Sequence, residues 1–285
     1  PQGVIERVAS VVTSVSREAG LGPDVPVGVA SPGPLNPRTG VVLYTPNLPG
    51  WRNVPFVEML TRLTGRRVAI ANDGNCAALG EVRFGQARGK RNLVYLALGT
   101  GIGGGVISEG MLIDGENGLG AEVGHTLVAL DGPRCTCGSV GCLEAFASGW
   151  AIKREAEAVA TTADGDMMRR LAGGGEIHAG IVAEAARAGD PAAALVLERA
   201  GRALGAAIGS FINLFDPEMV VIGGGVAAIG DILISHARRE LVAHSFYDMR
   251  RDVEIVYSSL GSDTGLYGAA ALAMMAFLGG SASAS

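Results

Sequence analysis

Residues 93–110 read Leu93-Val94-Tyr95-Leu96-Ala97-Leu98-Gly99-Thr100-Gly101-Ile102-Gly103-Gly104-Gly105-Val106-Ile107-Ser108-Glu109-Gly110, and the fold turns on the residues that come after the glycines. An apolar strand over Leu93–Leu98 runs into a turn, Gly99–Gly105, whose glycines leave backbone N–H groups open to a phosphate while Thr100 adds a hydroxyl donor. Gly99, Gly101 and Gly104 satisfy the spacing GxGxxG, but a dinucleotide site needs a helix to open directly after the loop. Here Val106–Ile107 resumes extended structure toward Gly110, so a Rossmann unit is excluded. A P-loop is excluded too, since Gly89-Lys90 is followed by Arg91 and GxxxxGK[ST] does not occur. A plain hairpin turn is the competing reading.

Outward from this stretch, strands and helices mix. Helical spacing runs over residues 4–19 and 54–64, and a helix from about Asn75 to Phe84 follows a strand at Arg67–Ala71. Val25–Ala30 reads as a buried strand ended by Ser31-Pro32-Gly33-Pro34, and Val41–Trp51 as strand and then a Pro46-Asn47-Leu48-Pro49-Gly50 loop. Downstream, helices are predicted over 150–160, 177–188, 192–214, 232–242 and 266–278, with strands at Met219–Ile222 and Val253–Ser258. The Gly/Ser/Ala tail, Gly279–Ser285, reads as disordered. This is an α/β chain in two lobes.

Composition narrows the function. With 285 residues, 48% apolar and 18% charged, the chain has ample core-forming material. A net charge of −5 without a basic run argues against a nucleic-acid partner, and no apolar stretch is long enough to span a bilayer. The expectation is a cytoplasmic protein. Lys90 and Lys153 are its only lysines, which limits the choice of a catalytic amine.

Three of four cysteines fall within eight residues, Cys135-x-Cys137-x4-Cys142, ten residues after His125. Three thiolates and an imidazole complete a tetrahedral Zn²⁺ set with no open position, so the metal would be structural. A redox CxC pair is the alternative. Glu122 and Glu144 flank this unit, and two anchored carboxylates suit the vicinal hydroxyls of a sugar; solvated surface acids are the bland reading. In Asn72-Asp73-Gly74-Asn75, Asp73 or Asn75 reads as a helix N-cap, or Asp73 as a proton acceptor at a strand's C-terminal end. Gly223-Gly224-Gly225, after a strand and before a helix, makes a second turn open to an anion. Paired with the first, it suggests two turns gripping one nucleotide.

The run Leu98–Gly105, then Glu122-Val-Gly-His125, then Cys135-Thr-Cys-Gly-Ser-Val-Gly-Cys-Leu-Glu144 resembles the ROK family, repressors and sugar kinases, and is most similar to its bacterial glucokinases. Pro46-Asn-Leu-Pro-Gly-Trp51, Asn72-Asp73 and Val220-Val-Ile-Gly-Gly-Gly225 match in order, and the likeness spans about residues 4–278. The resemblance implies an actin-like (ribonuclease-H-like) ATPase fold, two lobes with the active site in the cleft: 1–88 with 266–285 returning to it, and 89–265. It implies transfer of phosphate from Mg²⁺-bound ATP to the 6-hydroxyl of a hexose, glucose first, as an entry to glycolysis. N-acetylmannosamine or fructose as substrate, polyphosphate as donor, and a sugar-sensing repressor module are the alternatives. Carried over position by position, Asp73 becomes the general base and Asn72 a sugar contact. Glu122, His125 and Glu144 would bind sugar hydroxyls, His125 also ligating zinc with Cys135, Cys137 and Cys142, and Gly33 would line the sugar side. Gly99, Thr100, Gly101 and Gly103 would take the phosphates, and Gly223, Gly224 and Gly225 would lie along the adenosine. A homo-oligomer, dimer or tetramer, is implied. One departure stands out: family kinases open with a strand ending in DxGGT, which does not occur here, and a trimmed start is the expectation.

Overall fold

A computed structural model describes residues 1–45, 48–161, 166–246 and 253–278. Pro46 and Asn47 of the proline-rich loop, and the tail expected to be disordered, lie outside these.

The chain divides into two compact units: 1–95 with 104–121 and 258–285, and 96–103 with 122–257. In the first unit, α1 (Gln2–Glu18) precedes β1 (Val27–Ser31), β2 (Leu35–Asn36), β3 (Val41–Tyr44), β4 (Arg52–Val54) and α2 (Phe56–Thr64). Then come β5 (Val68–Asn72) and α3 (Asp73–Phe84). Strand β1 pairs in parallel with β5, Val27 opposite Val68 through Ser31 opposite Asn72, while β2–β3–β4 form a small antiparallel sheet. Ile5, Leu35, Trp51, Phe56, Leu60 and Ile70 close the core over these sheets. The parallel register brings the Ser31–Pro34 turn and Asn72-Asp73 out of the same sheet end, the end where α/β proteins place ligands.

Strands β6 (Leu93–Leu98) and β7 (Ile102–Ser108) each run through a unit boundary, and β8 (Met111–Leu112) comes next. In the second unit lie α4 (Glu144–Ala147), α5 (Gly149–Ala160), α6 (Asp166–Ala172), α7 (Ala179–Arg187) and α8 (Pro191–Phe215), then β9 (Met219–Gly223), α9 (Asp231–His244) and β10 (Glu254–Tyr257). The chain re-enters the first unit for α10 (Thr264–Leu278). The strand order is β10-β9-β6-β7-β8, with β9 and β10 parallel. Strand β9 is buried along its whole length and β6 nearly so, as befits continuous apolar runs at the centre of a covered sheet. Helix α8 starts cleanly because the Asp190 carboxylate accepts the Ala192 and Ala193 N–H groups at 2.9 and 3.0 Å, with Pro191 at the first position.

The first unit takes in residues 89–95, 104–121 and 258–265. Arg38 donates to the Gly115 and Glu116 carbonyls at 3.0 and 2.8 Å, which fastens the 114–116 turn there. Glu81, fully buried in α3, accepts from the Ser258 hydroxyl and from the Gln86 N–H at 2.9 Å. Burial, and then the nearby Glu81 charge, push the Tyr95 phenol up to about 12. Val54 belongs to β4, since Pro55 stands before the first turn of α2. Strands β2 and β8 and helices α4 and α6 have no counterpart among the predicted elements.

Candidate active site and metal centre

Within the first unit, Asn72 ends β5 and Asp73 begins α3. The N-cap is Asn72, rather than Asp73 or Asn75, its Oδ1 accepting the Gly74 N–H at 2.9 Å. Asp73 Oδ1 accepts the same N–H at 2.8 Å. Among the described residues no side chain holds Oδ2. The carboxylate is exposed, yet the protein crowded around it strips enough hydration to raise its pKa, a rise opposed by the backbone N–H groups of Gly74 and Asp73. Gly33 lies beside this pair: a side chain there would begin 3.1 Å from Asn72 Nδ2. The structure therefore brings Gly33, Asn72 and Asp73 together.

The second unit gathers the other candidates around Ile102. The glycine turn is shorter than expected, because β7 already begins at Ile102 and takes in Gly103, Gly104 and Gly105. The strand after the turn agrees with the exclusion of a dinucleotide fold. The turn itself is held from outside, with the Gly149 and Trp150 N–H groups donating to the Gly99 and Thr100 carbonyls at 2.8 and 3.1 Å. Gly224 packs on the backbone of Leu98, where a Cβ would stand 2.4 Å from the carbonyl oxygen. The two glycine turns are thus neighbours. Gly225 opens a short 3-10 turn through Ile229, and α9 starts only at Asp231, so the helix does not follow the glycines directly.

Glu122 precedes a 3-10 turn, Val123–His125, whose Gly124 abuts the Ile102 carbonyl so closely that a Cβ would overlap it. Glu144, 8% exposed, reaches the same residue from the other side. Its Oε2 accepts the Ile102 N–H at 3.0 Å, and its Oε1 accepts the Thr136 hydroxyl at 2.8 Å and the Cys135 thiol at 3.4 Å.

His125, Cys135, Cys137 and Cys142 offer ligand atoms that all lie within 4.8 Å of one another. Ligands at about 2.3 Å from a tetrahedral Zn²⁺ stand roughly 3.8 Å apart. Cys137 and Cys142 Sγ are separated by 3.8 Å, and His125 Nδ1 and Cys135 Sγ by 3.7 Å. The donor set and its spacing both fit the metal. Cys137 is exposed, and the Ser139 N–H pulls its thiol down to about 7, whereas burial pushes Cys142 up to about 12.

Thr136 escaped notice in the sequence, where nothing marks a threonine between two cysteines as the partner of a buried carboxylate. Pro46 and Asn47 of the matched loop lie outside the described residues.

The chain matches the model of the ROK family over residues 1–276. It is 40% identical to a glucokinase of Thermotoga maritima over 273 residues, 95% of this chain and 85% of that one. Among solved structures, a ROK hexokinase from Thermus thermophilus superposes with a TM-score of 0.82 at 35% identity, covering 98% of this chain and 88% of the other. A ROK glucokinase from Streptomyces griseus, solved with glucose and AMPPNP, gives 0.80 at 33% identity, covering 96% and 88%. The architecture is accordingly the actin-like, ribonuclease-H-like ATPase fold. On its sequence and on its fold, this chain belongs to the ROK family.

Proposed function

We propose that the chain is an ATP-dependent glucokinase, forming glucose 6-phosphate. One observation carries this reading: the likeness along nearly the whole chain to a structure solved with glucose and a non-hydrolysable ATP analogue. The ordered set of Asn72-Asp73, the glycine turns and the His/Cys cluster supports it.

In this reading Asp73 takes the proton of the sugar 6-hydroxyl as that oxygen bonds to the γ-phosphorus, and the bond to the bridging oxygen breaks to release ADP. A carboxylate with one oxygen free of side-chain partners suits that task. Asn72, Glu122, His125 and Glu144 hold sugar hydroxyls, with Gly33 lining the same side. Gly99, Thr100, Gly101 and Gly103 take the phosphates, and Gly223, Gly224 and Gly225 lie along the adenosine. Mg²⁺ accompanies ATP and offsets phosphate charge. His125, Cys135, Cys137 and Cys142 would hold one Zn²⁺ that organises the loop without joining the chemistry. The reading extends to a cytoplasmic homo-oligomer that feeds glycolysis, and to the two lobes 1–88 with 266–285, and 89–265.

A coupled assay of phosphorylated product over glucose, N-acetylmannosamine and fructose, with ATP and polyphosphate as donors, tests it. Turnover of glucose with ATP is expected. Turnover only of another hexose would replace the substrate, and no turnover with any pair would sink the proposal.

A further inference from the structure

Ile102 is the residue at which the glycine turn becomes a strand, and two segments carrying thiol-cluster ligands grip it. On its carbonyl sits Gly124, the residue before His125; its N–H is held by Glu144, two residues after Cys142. Glu144 also reaches into the cluster loop through the Thr136 hydroxyl, which donates to its Oε1 at 2.8 Å. At Gly101 a side chain would begin 2.5 Å from Glu144 Oε2, so carboxylate and turn fit without slack.

We propose that Glu144 is a positioning residue that passes the state of the His/Cys cluster to the Gly99–Ile102 turn, so that nucleotide affinity depends on the loop around Cys135. This rests on the reading that the turn takes the phosphates. The chemistry favours a carboxylate here because all its lone pairs accept. It can receive the Thr136 O–H and the Ile102 N–H at once, on different oxygens, while a glutamine would turn a donor toward one of them. Charge-assisted bonds of this kind are short and directional. The Gly99 and Thr100 carbonyls are fixed by α5 and the Gly101 carbonyl by the Gly99 N–H, which leaves the Ile102 amide as the point where the cluster loop sets the turn's shape. Oε2 retains a lone pair, so a sugar hydroxyl at Glu144 remains compatible with this role.

Thr136 is the lever for a test, since it is exposed and belongs to neither the ligand set nor the turn. Thr136→Val removes the hydroxyl at nearly constant volume, and Thr136→Ser restores it. Calorimetry with a non-hydrolysable ATP analogue and metal analysis are run on both, on wild type, on chelator-stripped wild type and on Thr100→Val. Thr136→Val is expected to keep its metal and to weaken nucleotide binding about fivefold or more, the lower end of usual coupling between sites. Thr136→Ser should bind as wild type does, and metal-stripped protein should weaken like the valine variant. A purely structural bond would lower Tm and leave nucleotide affinity unmoved. If Thr100→Val weakens binding while Thr136→Val and the stripped protein do not, the coupling through Glu144 is overturned. If Thr100→Val has no effect either, the assignment of phosphates to this turn fails and takes the coupling with it.

Discussion

Asp73 and Glu144 are both carboxylates at the first position of a helix, and they live opposite lives. Asp73 is exposed and shares a single backbone N–H with Asn72, while Glu144 is buried and divides its oxygens among an amide, a hydroxyl and a thiol. Proton transfer needs an oxygen that no other group holds; holding a shape needs both oxygens engaged. The surroundings of each side chain thus separate a group poised to react from one built to position, although residue type and helix position are the same.

Exchanging the charge of each residue for an amide probes that contrast. The largest effect is expected at Asp73. Asp73→Asn should lower kcat roughly 10²–10⁴-fold, the usual contribution of a general base, with glucose binding intact by calorimetry. A folded variant that keeps more than about a tenth of wild-type kcat would place the base elsewhere.

Glu144→Gln should raise the sugar KM roughly 10–150-fold, if bonds to its charge contribute about 1.5–3 kcal/mol. An unaltered sugar KM would confine Glu144 to its contacts within the chain. Cys137→Ser asks whether the positioning side depends on the metal. One zinc per wild-type chain is expected by metal analysis, with loss in the variant, a higher sugar KM and a Tm lower by roughly 2–4 °C per kcal/mol removed. Equal metal content in both proteins would defeat the assignment.

The smallest effects concern pH. Asp73 must be ionised to act, so the acid limb of kcat/KM should lie above the ordinary aspartate value of about 3.9. The folded state also holds this proton more tightly than the unfolded chain does. The group's contribution to stability therefore falls as pH rises through the carboxylate range. Asp73→Asn is free of that loss, so its Tm should exceed wild type at neutral pH and the gap should close on acidification. A Tm difference that ignores pH would show that desolvation is not what shifts Asp73.

Local chemistry was legible in the sequence and distant chemistry was not. Cys135, Cys137 and Cys142 sit close enough along the chain for spacing alone to suggest a ligand set, and the helical run over 192–214 lies within α8. The exclusion of a dinucleotide fold needed only Val106 and Ile107 after the glycines. Glu144, by contrast, meets an amide at Ile102 far earlier in the chain, and no periodicity encodes such a meeting. Asn72 as the cap escaped because Asn72, Asp73 and Asn75 are all good capping types, and only backbone geometry chooses among them. The two-residue strands β2 and β8 exist through their pairing partners and are too short to carry an alternation of their own.

Helix α3 carries Asp73 at its start and packs extensively on α10, and its Glu81 is buried against Ser258. Helix α3 ends at Phe84 and α10 begins at Thr264, so on the ribosome the first waits for the second. At about 5–20 residues per second the delay is roughly 10–40 s, during which the second unit can be completed. Through that interval α3 has β1, β5 and the 104–105 backbone beside it but lacks α10 and the hydroxyl that meets Glu81. Full cover of the helix that bears the proposed base thus waits on α10, a dependence set by the order of synthesis.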